Sequence, residues 1–145
     1  NVFDIALLAG RLAVAAEWVR ERPDTARLPL GYFGASTGAA AALAAAARPD
    51  SDAQAVVSRG GRPDLAGEAL ESVRAATLLV VGGDDQTVLD LNRRARVRLR
   101  CEHRLTVIPG AGHLFEEPGA LTTVAELARD WFTTHLAAAP RPARR

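Results

Sequence analysis

Three side chains of the types used in nucleophilic catalysis each follow a separate apolar segment of the sequence. Ser36 lies at the centre of the G-x-S-x-G stretch 34–38, the neighbouring aspartates Asp84 and Asp85 come next, and His113 follows a glycine-rich stretch. A serine becomes a nucleophile when a histidine takes its proton, and a carboxylate holds that histidine in the required tautomer. Serine, aspartate and histidine in this chain order therefore predict a catalytic triad.

The G-x-S-x-G stretch has the composition of a sharp turn between a strand and a helix. In such a turn the serine hydroxyl projects above the sheet, and Gly34 and Gly38 allow the strand and the helix to approach closely. The amide of Thr37, at the positive end of the following helix, then points toward an oxyanion. The alternative explanation of the same residues is a glycine-rich turn without a catalytic role.

The aspartates and the histidine are weak signals when each is taken alone. An aspartate at a strand end is more often solvated or caps the next helix, and a loop histidine is more often a polar surface residue. Of the three histidines, His103 precedes a strand and His135 stands near a helix end, so both are interpreted as structural. His113 alone follows a strand and a glycine-rich break, and we predict that it is the general base.

Two arginines, Arg59 and Arg62, follow another apolar segment and are candidates for binding a substrate carboxylate through bidentate hydrogen bonds. Pairing with Asp64 or Glu68, or exposure to solvent, is the alternative. The single cysteine, Cys101, is near the start of a strand and is interpreted as structural. The sequence contains no cluster of metal ligands, no phosphate-binding loop and no nucleic-acid-binding motif, so no metal or other cofactor is expected.

The elements that must position these residues alternate between helix and strand patterns. Apolar residues at three- and four-residue steps predict helices, and short apolar runs bounded by Gly or Pro predict strands. The predicted helices cover 4–22, 38–48, 65–73, 87–99 and 119–136, and the predicted strands cover 28–33, 53–58, 76–81 and 105–108. This alternation predicts an α/β fold with a mostly parallel sheet and helices on both faces. Ligands bind beyond the carboxyl ends of the strands in such sheets, so the residues that follow the strands are expected to form the site.

Composition and charge limit the class of protein. The 145 residues carry 18 arginines and no lysine against 17 acidic residues, and the net charge of +1 makes a nucleic acid an unexpected partner. Apolar residues make up 48% and charged residues 24%, which excludes a disordered, collagen-like or coiled-coil chain. A single cysteine favours a reducing compartment. Neither a membrane span nor a signal peptide is found, so we expect a cytoplasmic protein without membrane contact.

Four stretches resemble the dienelactone hydrolase-like branch of the α/β-hydrolases. They are Asn1-Val2-Phe3-Asp4-Ile5, Gly31-Tyr32-Phe33-Gly34-Ala35-Ser36-Thr37-Gly38-Ala39-Ala40, Val80-Val81-Gly82-Gly83-Asp84-Asp85 and Gly112-His113-Leu114-Phe115-Glu116-Glu117. The resemblance extends to about Leu136 and implies the α/β-hydrolase fold. In this family the triad acid lies three residues before the hydrophobic position that starts the next helix. That spacing here joins Asp85 to Val88, so the resemblance favours Asp85 over Asp84.

Two departures from the family pattern bear on function. Dienelactone hydrolase itself is known for a cysteine nucleophile, and Ser36 in its place favours a general serine esterase. The family also has several strands before the helix that opens this chain, and those strands carry the other oxyanion donor. Since the chain starts at Asn1 and contains no methionine, it is expected to be the C-terminal part of such a domain. A missing N-terminal segment or a second copy of the chain would then cover the edge of strand 28–33.

The sequence therefore predicts a partial α/β-hydrolase domain over residues 1–137 and a mobile basic tail over residues 138–145. The predicted function is hydrolysis of a small-molecule ester, lactone or thioester. Ser36 is the predicted nucleophile, His113 the base and Asp85 the residue that orients it.

Two other functions remain open at this point. One is a catalytically silent α/β module with a structural or partner-binding role, attached to a phosphoribosyltransferase domain as the resemblance to actinobacterial members of the branch implies. The other is a flavodoxin-like domain that binds an anion at the helix terminus after Gly38, which leaves Asp85 and His113 without a role.

Overall fold

The sheet has four parallel strands whose spatial order, β1-β2-β3-β4, follows the order of the chain. A computed structural model describes residues 4–137. The strands are β1 (Gly31–Ala35), β2 (Ala55–Arg59), β3 (Ala76–Gly82) and β4 (His103–Ile108). The helices are α1 (Ile5–Glu21), α2 (Thr37–Ala46), α3 (Gln86–Arg96) and α4 (Ala120–His135), with a 3₁₀ segment at Pro63–Ser72. The predicted α/β fold with a parallel sheet is confirmed. The stretch 1–3 and the predicted tail 138–145 lie outside the described residues.

Helices cover both faces of this sheet, as predicted. The side chains of β2 alternate between two separate cores, with Val56 in one and Val57 in the other. The first core is built with α2 and the 3₁₀ segment, and α1 packs on α2 and contributes Ala9 to this core. The second core is covered by α4, whose Trp131 indole donates a hydrogen bond to the carbonyl of Ala76 over 3.0 Å. The alanines of α2 are almost all buried, which allows this helix to lie close to the sheet.

Some element boundaries differ from those expected from the pattern. β1 begins at Gly31 rather than at residue 28, because the preceding residues form turns and Pro29 has no amide hydrogen for a strand ladder. The predicted helix 65–73 is instead the 3₁₀ segment, which Gly67 interrupts with a φ of 57°. β1 ends at Ala35 rather than at residue 33, and β2 ends at Arg59 rather than at residue 58. Ser36 therefore stands immediately after β1.

The outer edge of β1 is unpaired within residues 4–137, since β2 is the one strand that hydrogen-bonds to β1 there. Phe33, in the middle of β1, is 51% exposed. An apolar groove of about 410 Å³ runs beside this strand between α1 and α2, with Leu8, Leu12 and Ala41 on its walls. None of the helices that the structure describes is long and apolar enough to cross a membrane.

Candidate active site

Ser36, His113 and Asp85 meet above the carboxyl end of the sheet. The hydroxyl Oγ of Ser36 lies 2.9 Å from Nε2 of His113, and Nδ1 of the same ring lies 2.8 Å from Oδ2 of Asp85. With the proton on Nδ1 donated to the carboxylate, Nε2 is left as an acceptor for the serine hydroxyl. The Asp85 side chain is 15% exposed and the His113 side chain 42%. The imidazole is thus accessible from solvent while the carboxylate behind it is mostly covered.

Two of these residues stand at helix N-termini without capping them. Ser36 is the N-cap residue of α2 and Asp85 is the N-cap residue of α3, and neither side chain makes a capping hydrogen bond. Serine and aspartate at this position normally accept a hydrogen bond from the first turn, which stabilises the helix by about 1 kcal/mol. The Asp4 side chain at the start of α1 does so, accepting from the amide of Leu7. Ser36 and Asp85 are directed to His113 instead.

The backbone at Ser36 is in an unusual conformation. Its φ of 51° and ψ of −123° lie outside the regions that L residues favour. A Cβ added to Gly34 would lie 2.5 Å from the carbonyl oxygen of Gly38, so the space at residue 34 admits only glycine. A Cβ added to Gly38 would meet no heavy atom within 4 Å among the described residues. The strand and the helix therefore approach closely between Gly34 and the backbone of Gly38, and among residues 4–137 this approach requires a glycine at position 34 but not at position 38.

Backbone hydrogen bonds join the loop that carries Asp85 (residues 83–85, here the acid loop) to the loop that carries His113 (residues 109–119, here the histidine loop) and to the end of β4. The amide of Gly83 donates to the carbonyl of Ile108 over 2.8 Å, and the amide of Asp84 donates to the carbonyl of Ala111 over 3.0 Å. A side chain at Gly82 would collide with the backbone of Ala111. The two loops that carry Asp85 and His113 thus pack as one unit, which fixes the distance between the carboxylate and the ring.

Two residues of the histidine loop, Glu117 and Phe115, and Gly60 from the turn after β2 surround His113, and the sequence analysis assigned a role to none of them. The carboxylate of Glu117 accepts a hydrogen bond from the amide of Gly112 over 3.0 Å. Phe115 is buried with a φ of 54°, and Gly60 packs against both its ring and the imidazole of His113. The positive φ values of Phe115 and Gly60, which a sequence does not display, mark these two positions as special.

The other acidic and histidine candidates lie elsewhere. Asp84 is exposed, and no described residue binds its carboxylate. His103 is the first residue of β4, at the amino end of the sheet, and its Nδ1 lies 3.0 Å from the carbonyl of Cys101. His135, near the end of α4, lies 3.4 Å from a carboxylate oxygen of Glu102.

The two arginines predicted to bind substrate have different environments. Arg62 makes a bidentate ion pair with Asp64, at 3.0 and 2.9 Å, and this hydrogen bonding raises the pKa of Arg62. Arg59 has no ion pair among residues 4–137, and its Nε is buried without a hydrogen-bond partner there. The Arg59 guanidinium lies 5.5 Å from the centre of the Phe115 ring, next to the histidine loop. Of the two arginines, only Arg59 is left without a carboxylate partner in the described structure.

Cys101 lies at the amino end of β4, far from the carboxyl end where Ser36 stands. Burial raises the pKa of its thiol above the ordinary value of 9.0. Cys101 is therefore an unactivated thiol. No group of three or more His, Cys, Asp or Glu side chains within the described part of the chain is placed to hold a metal ion.

Comparison with solved structures identifies the architecture. The chain superposes on dienelactone hydrolase from Anabaena variabilis with a TM-score of 0.91 and 58% sequence identity, over 93% of this chain and 62% of that one. This chain has the dienelactone hydrolase-like α/β-hydrolase fold. A second neighbour, the dienelactone hydrolase-like promiscuous phosphotriesterase P91 from metagenomic libraries, has a TM-score of 0.67 and 20% identity over 92% of this chain and 64% of that one. At that identity the likeness concerns the fold alone.

Two curated relatives from Mycobacterium tuberculosis, strains CDC 1551 and H37Rv, share 64% identity with the chain over 136 residues. Both bear the name "Putative phosphoribosyl transferase". The match covers 94% of this chain, and the chain spans 31% of the length of these relatives. No family model matches the chain. The α/β-hydrolase fold is thus shared with a hydrolase, and a closely similar sequence is part of longer proteins that carry a transferase name.

Proposed function

We propose that the chain is the catalytic part of a serine hydrolase that cleaves small carboxylic esters, lactones or thioesters. The observation that carries the proposal is the use of Ser36 and Asp85 at two helix N-termini. Neither side chain caps its helix, and both are within hydrogen-bond distance of one imidazole. A structural role would be served better by capping, because each uncapped terminus leaves amides without an acceptor.

In the proposed reaction, Ser36 Oγ attacks the substrate carbonyl while Nε2 of His113 takes the hydroxyl proton. Asp85 holds the ring through Nδ1 and stabilises the imidazolium that forms. The Thr37 amide, at the first position of α2, is the proposed donor to the oxyanion, since the first-turn amides of a helix lack intrahelical acceptors. His113 then returns its proton to the leaving group, and water hydrolyses the acyl enzyme by the same steps.

The proposed substrate carries an anionic group near the reacting carbonyl. Arg59 is the last residue of β2, the strand next to the one that ends just before Ser36, and the Ser36 amide donates to the Arg59 carbonyl. The Arg59 guanidinium has no carboxylate partner in residues 4–137, whereas Arg62 is occupied by Asp64. A substrate carboxylate could therefore pair with Arg59 without breaking an existing ion pair.

A fluorophosphonate probe tests the proposed nucleophile in the full-length protein. The probe phosphonylates an activated serine with loss of fluoride, and we expect labelling of the wild-type protein that disappears in Ser36→Ala. Ser51→Ala is the matched control, because Ser51 lies before β2 at the opposite end of the sheet and should leave labelling unchanged. A folded wild-type protein that does not react with the probe would rule out the hydrolase.

A second candidate is a catalytically silent α/β module attached to a transferase domain. The name of the Mycobacterium tuberculosis relatives favours it, together with the 31% of their length that this chain spans. The same labelling experiment separates the two proposals. A silent module predicts no labelling, combined with a loss of transferase activity or stability in the full-length protein when this part is removed.

A further inference from the structure

One turn bonds to the backbone of Ser36 and lies beside the imidazole of His113. The last residue of β2 and the three residues that lead from it to the 3₁₀ segment are here called the turn 59–62. The amide of Ser36 donates to the carbonyl of Arg59 over 3.4 Å, and the amide of Arg62 donates to the carbonyl of Ser36 over 3.0 Å. Both backbone polar groups of the strained serine are therefore bonded to this turn, whose position sets the position of Ser36.

The same turn lies against the imidazole. Gly60 has a φ of +52°, and a Cβ at this residue would come within 3.4 Å of Nδ1 of His113 and 3.3 Å of the Phe115 ring. Nδ1 is the nitrogen that faces Asp85. A displacement of the turn toward the ring would push on the side of the imidazole that the acid holds, and a displacement away would leave the ring free to tilt.

A single side chain anchors the backbone of this turn. Asn92 of α3 is completely buried, and its Nδ2 donates to the carbonyl of Gly61 over 3.0 Å and to the carbonyl of Val88 over 2.8 Å. Among the side-chain hydrogen bonds of residues 4–137, the bond from Asn92 is the one that reaches the backbone of the turn. A backbone bond from the amide of Gly60 to the carbonyl of Val80, over 2.7 Å, also holds the turn to β3. Gly61 is also tightly enclosed, because a Cβ there would collide with Ser58 and Ala39.

Burying the amide of Asn92 costs free energy, which its hydrogen bonds offset only in part. Both N–H donors are used, whereas Oδ1 is buried without a hydrogen-bond partner in the described structure. A buried amide with an unsatisfied oxygen is less favourable than an apolar side chain of similar size. The bond to Gly61 is the contact that joins α3 to the turn 59–62, and it explains why an amide occupies this position.

We infer that Asn92 is a positioning residue for the proposed serine hydrolase. It acts through Gly61 and the turn 59–62, and it aligns Ser36 with Nε2 of His113. This inference rests on the proposed function for its effect on reactivity. Its effect on the geometry of the ring can be measured independently.

Two variants remove the anchor, and one control removes a comparable bond elsewhere. Asn92→Leu and Asn92→Asp abolish both amide donors while keeping the branched shape of the side chain, and Asn92→Asp also keeps its volume. Thr77→Val is the control, since the Thr77 hydroxyl is equally buried and donates to the backbone carbonyl of Ala75, at the amino end of the sheet. The variants are compared in the full-length protein with respect to unfolding midpoint, rate of fluorophosphonate labelling and the pH titration of the His113 ring nitrogens by NMR.

We expect both Asn92 variants to lose about tenfold or more in labelling rate, because small misplacements of reacting groups have effects of this size. The His113 titration should shift in the same variants. Thr77→Val should lose a similar amount of stability and keep both the wild-type labelling rate and the wild-type titration.

The two readouts distinguish failure of the inference from failure of the proposed function. If the Asn92 variants and Thr77→Val have the same labelling rate and the same His113 titration, the positioning role is wrong. If the wild-type protein is not labelled at all, the hydrolase proposal fails, and the His113 titration alone decides on Asn92. Should Asn92→Leu not fold, Asn92→Asp provides the comparison.

Discussion

The imidazole of His113 is bonded at both nitrogens, and the two partners give it a defined tautomer. A carboxylate at Nδ1 requires a proton there, which leaves Nε2 free to accept the hydroxyl proton of Ser36. In the proposed reaction, the direction of proton transfer therefore depends on one carboxylate. Asp85 occupies that place, while its neighbour Asp84 points to solvent.

Asp85→Asn should lower kcat by about 10⁴-fold, because an amide in place of the carboxylate favours the wrong tautomer of the ring. Asp84→Asn is the matched control and should leave kcat unchanged. Steady-state hydrolysis of a chromogenic short-chain ester measures both. An equal loss in the two variants would contradict the assignment of Asp85.

Arg59→Gln should reduce kcat/KM by about 10- to 100-fold for an ester that carries a carboxylate, the size expected for loss of a hydrogen bond to a charged group. A neutral ester of the same length should be affected little, because it has no group for the guanidinium to bind. Arg62→Gln serves as the control, since its partner is Asp64. If Arg59→Gln reduces hydrolysis of both esters equally, Arg59 does not select the charge of the substrate.

At the scale of elements, the passage from β1 into α2 depends on one glycine. Gly34 faces the backbone of α2 at a distance that leaves no room for a methyl group, whereas Gly38 faces open space within the described residues. The relevant contacts at Gly34 are with backbone atoms, which cannot move aside as a side-chain end could. The strand and the helix would have to separate to admit a larger residue.

Gly34→Ala should therefore destabilise the fold by about 1–3 kcal/mol or more, the range for an overpacked site. Gly38→Ala should be neutral or stabilising by up to about 1 kcal/mol, because alanine is favoured over glycine within a helix. Urea unfolding followed by circular dichroism measures both. Equal destabilisation by the two substitutions would mean that the space at Gly38 is filled in solution.

The alternation of elements and the residues after each strand could be derived from sequence. Apolar runs such as 76–81 are distinctive, and chain order places Ser36, Asp85 and His113 at one edge of a parallel sheet. The strand boundaries were harder to predict from the sequence, because Pro29 and the pairing with β2 decide where β1 starts. Asn92 gave no signal at all. It stands in an arginine-rich stretch that is typical of a solvated face, and its burial depends on Gly61, which is 31 residues away.

For the whole molecule, two weakly acidic side chains on the same face of the sheet, buried Tyr32 and half-buried Cys101, link the free energy of unfolding to alkaline pH. Tyr32 belongs to the first core and Cys101 packs against it. Burial, with a smaller effect of Asp52, raises the pKa of Tyr32 above its ordinary value of 10.0, and burial raises the pKa of Cys101 above 9.0. The folded state therefore keeps both protons to a higher pH than the unfolded state does.

The contribution of these two groups to the free energy of unfolding should fall above about pH 9, because the native state then binds more protons than the unfolded state. The contribution of these groups is complete below the ordinary pKa values and is lost as pH rises through the native ones. Urea unfolding at a series of pH values measures the slope. Tyr32→Phe and Cys101→Ala should each make it shallower, and a slope that is the same in both variants as in the wild type would contradict the role of these two groups.

The order of the strands determines the order in which the parts of the candidate site come together during synthesis. Each of the strands β2, β3 and β4 pairs with the strand that precedes it in the chain, so strands can join the sheet in the order of their synthesis. Of the three side chains, Ser36 is synthesised first and Asp85 second, and the imidazole that contacts both is synthesised 77 residues after the serine. In the proposed hydrolase, Ser36 would therefore lack its base until β4 and the residues that follow it have been added to the sheet. Reactivity toward a serine probe would then report that β4 and the residues after it have taken their places beside the earlier strands.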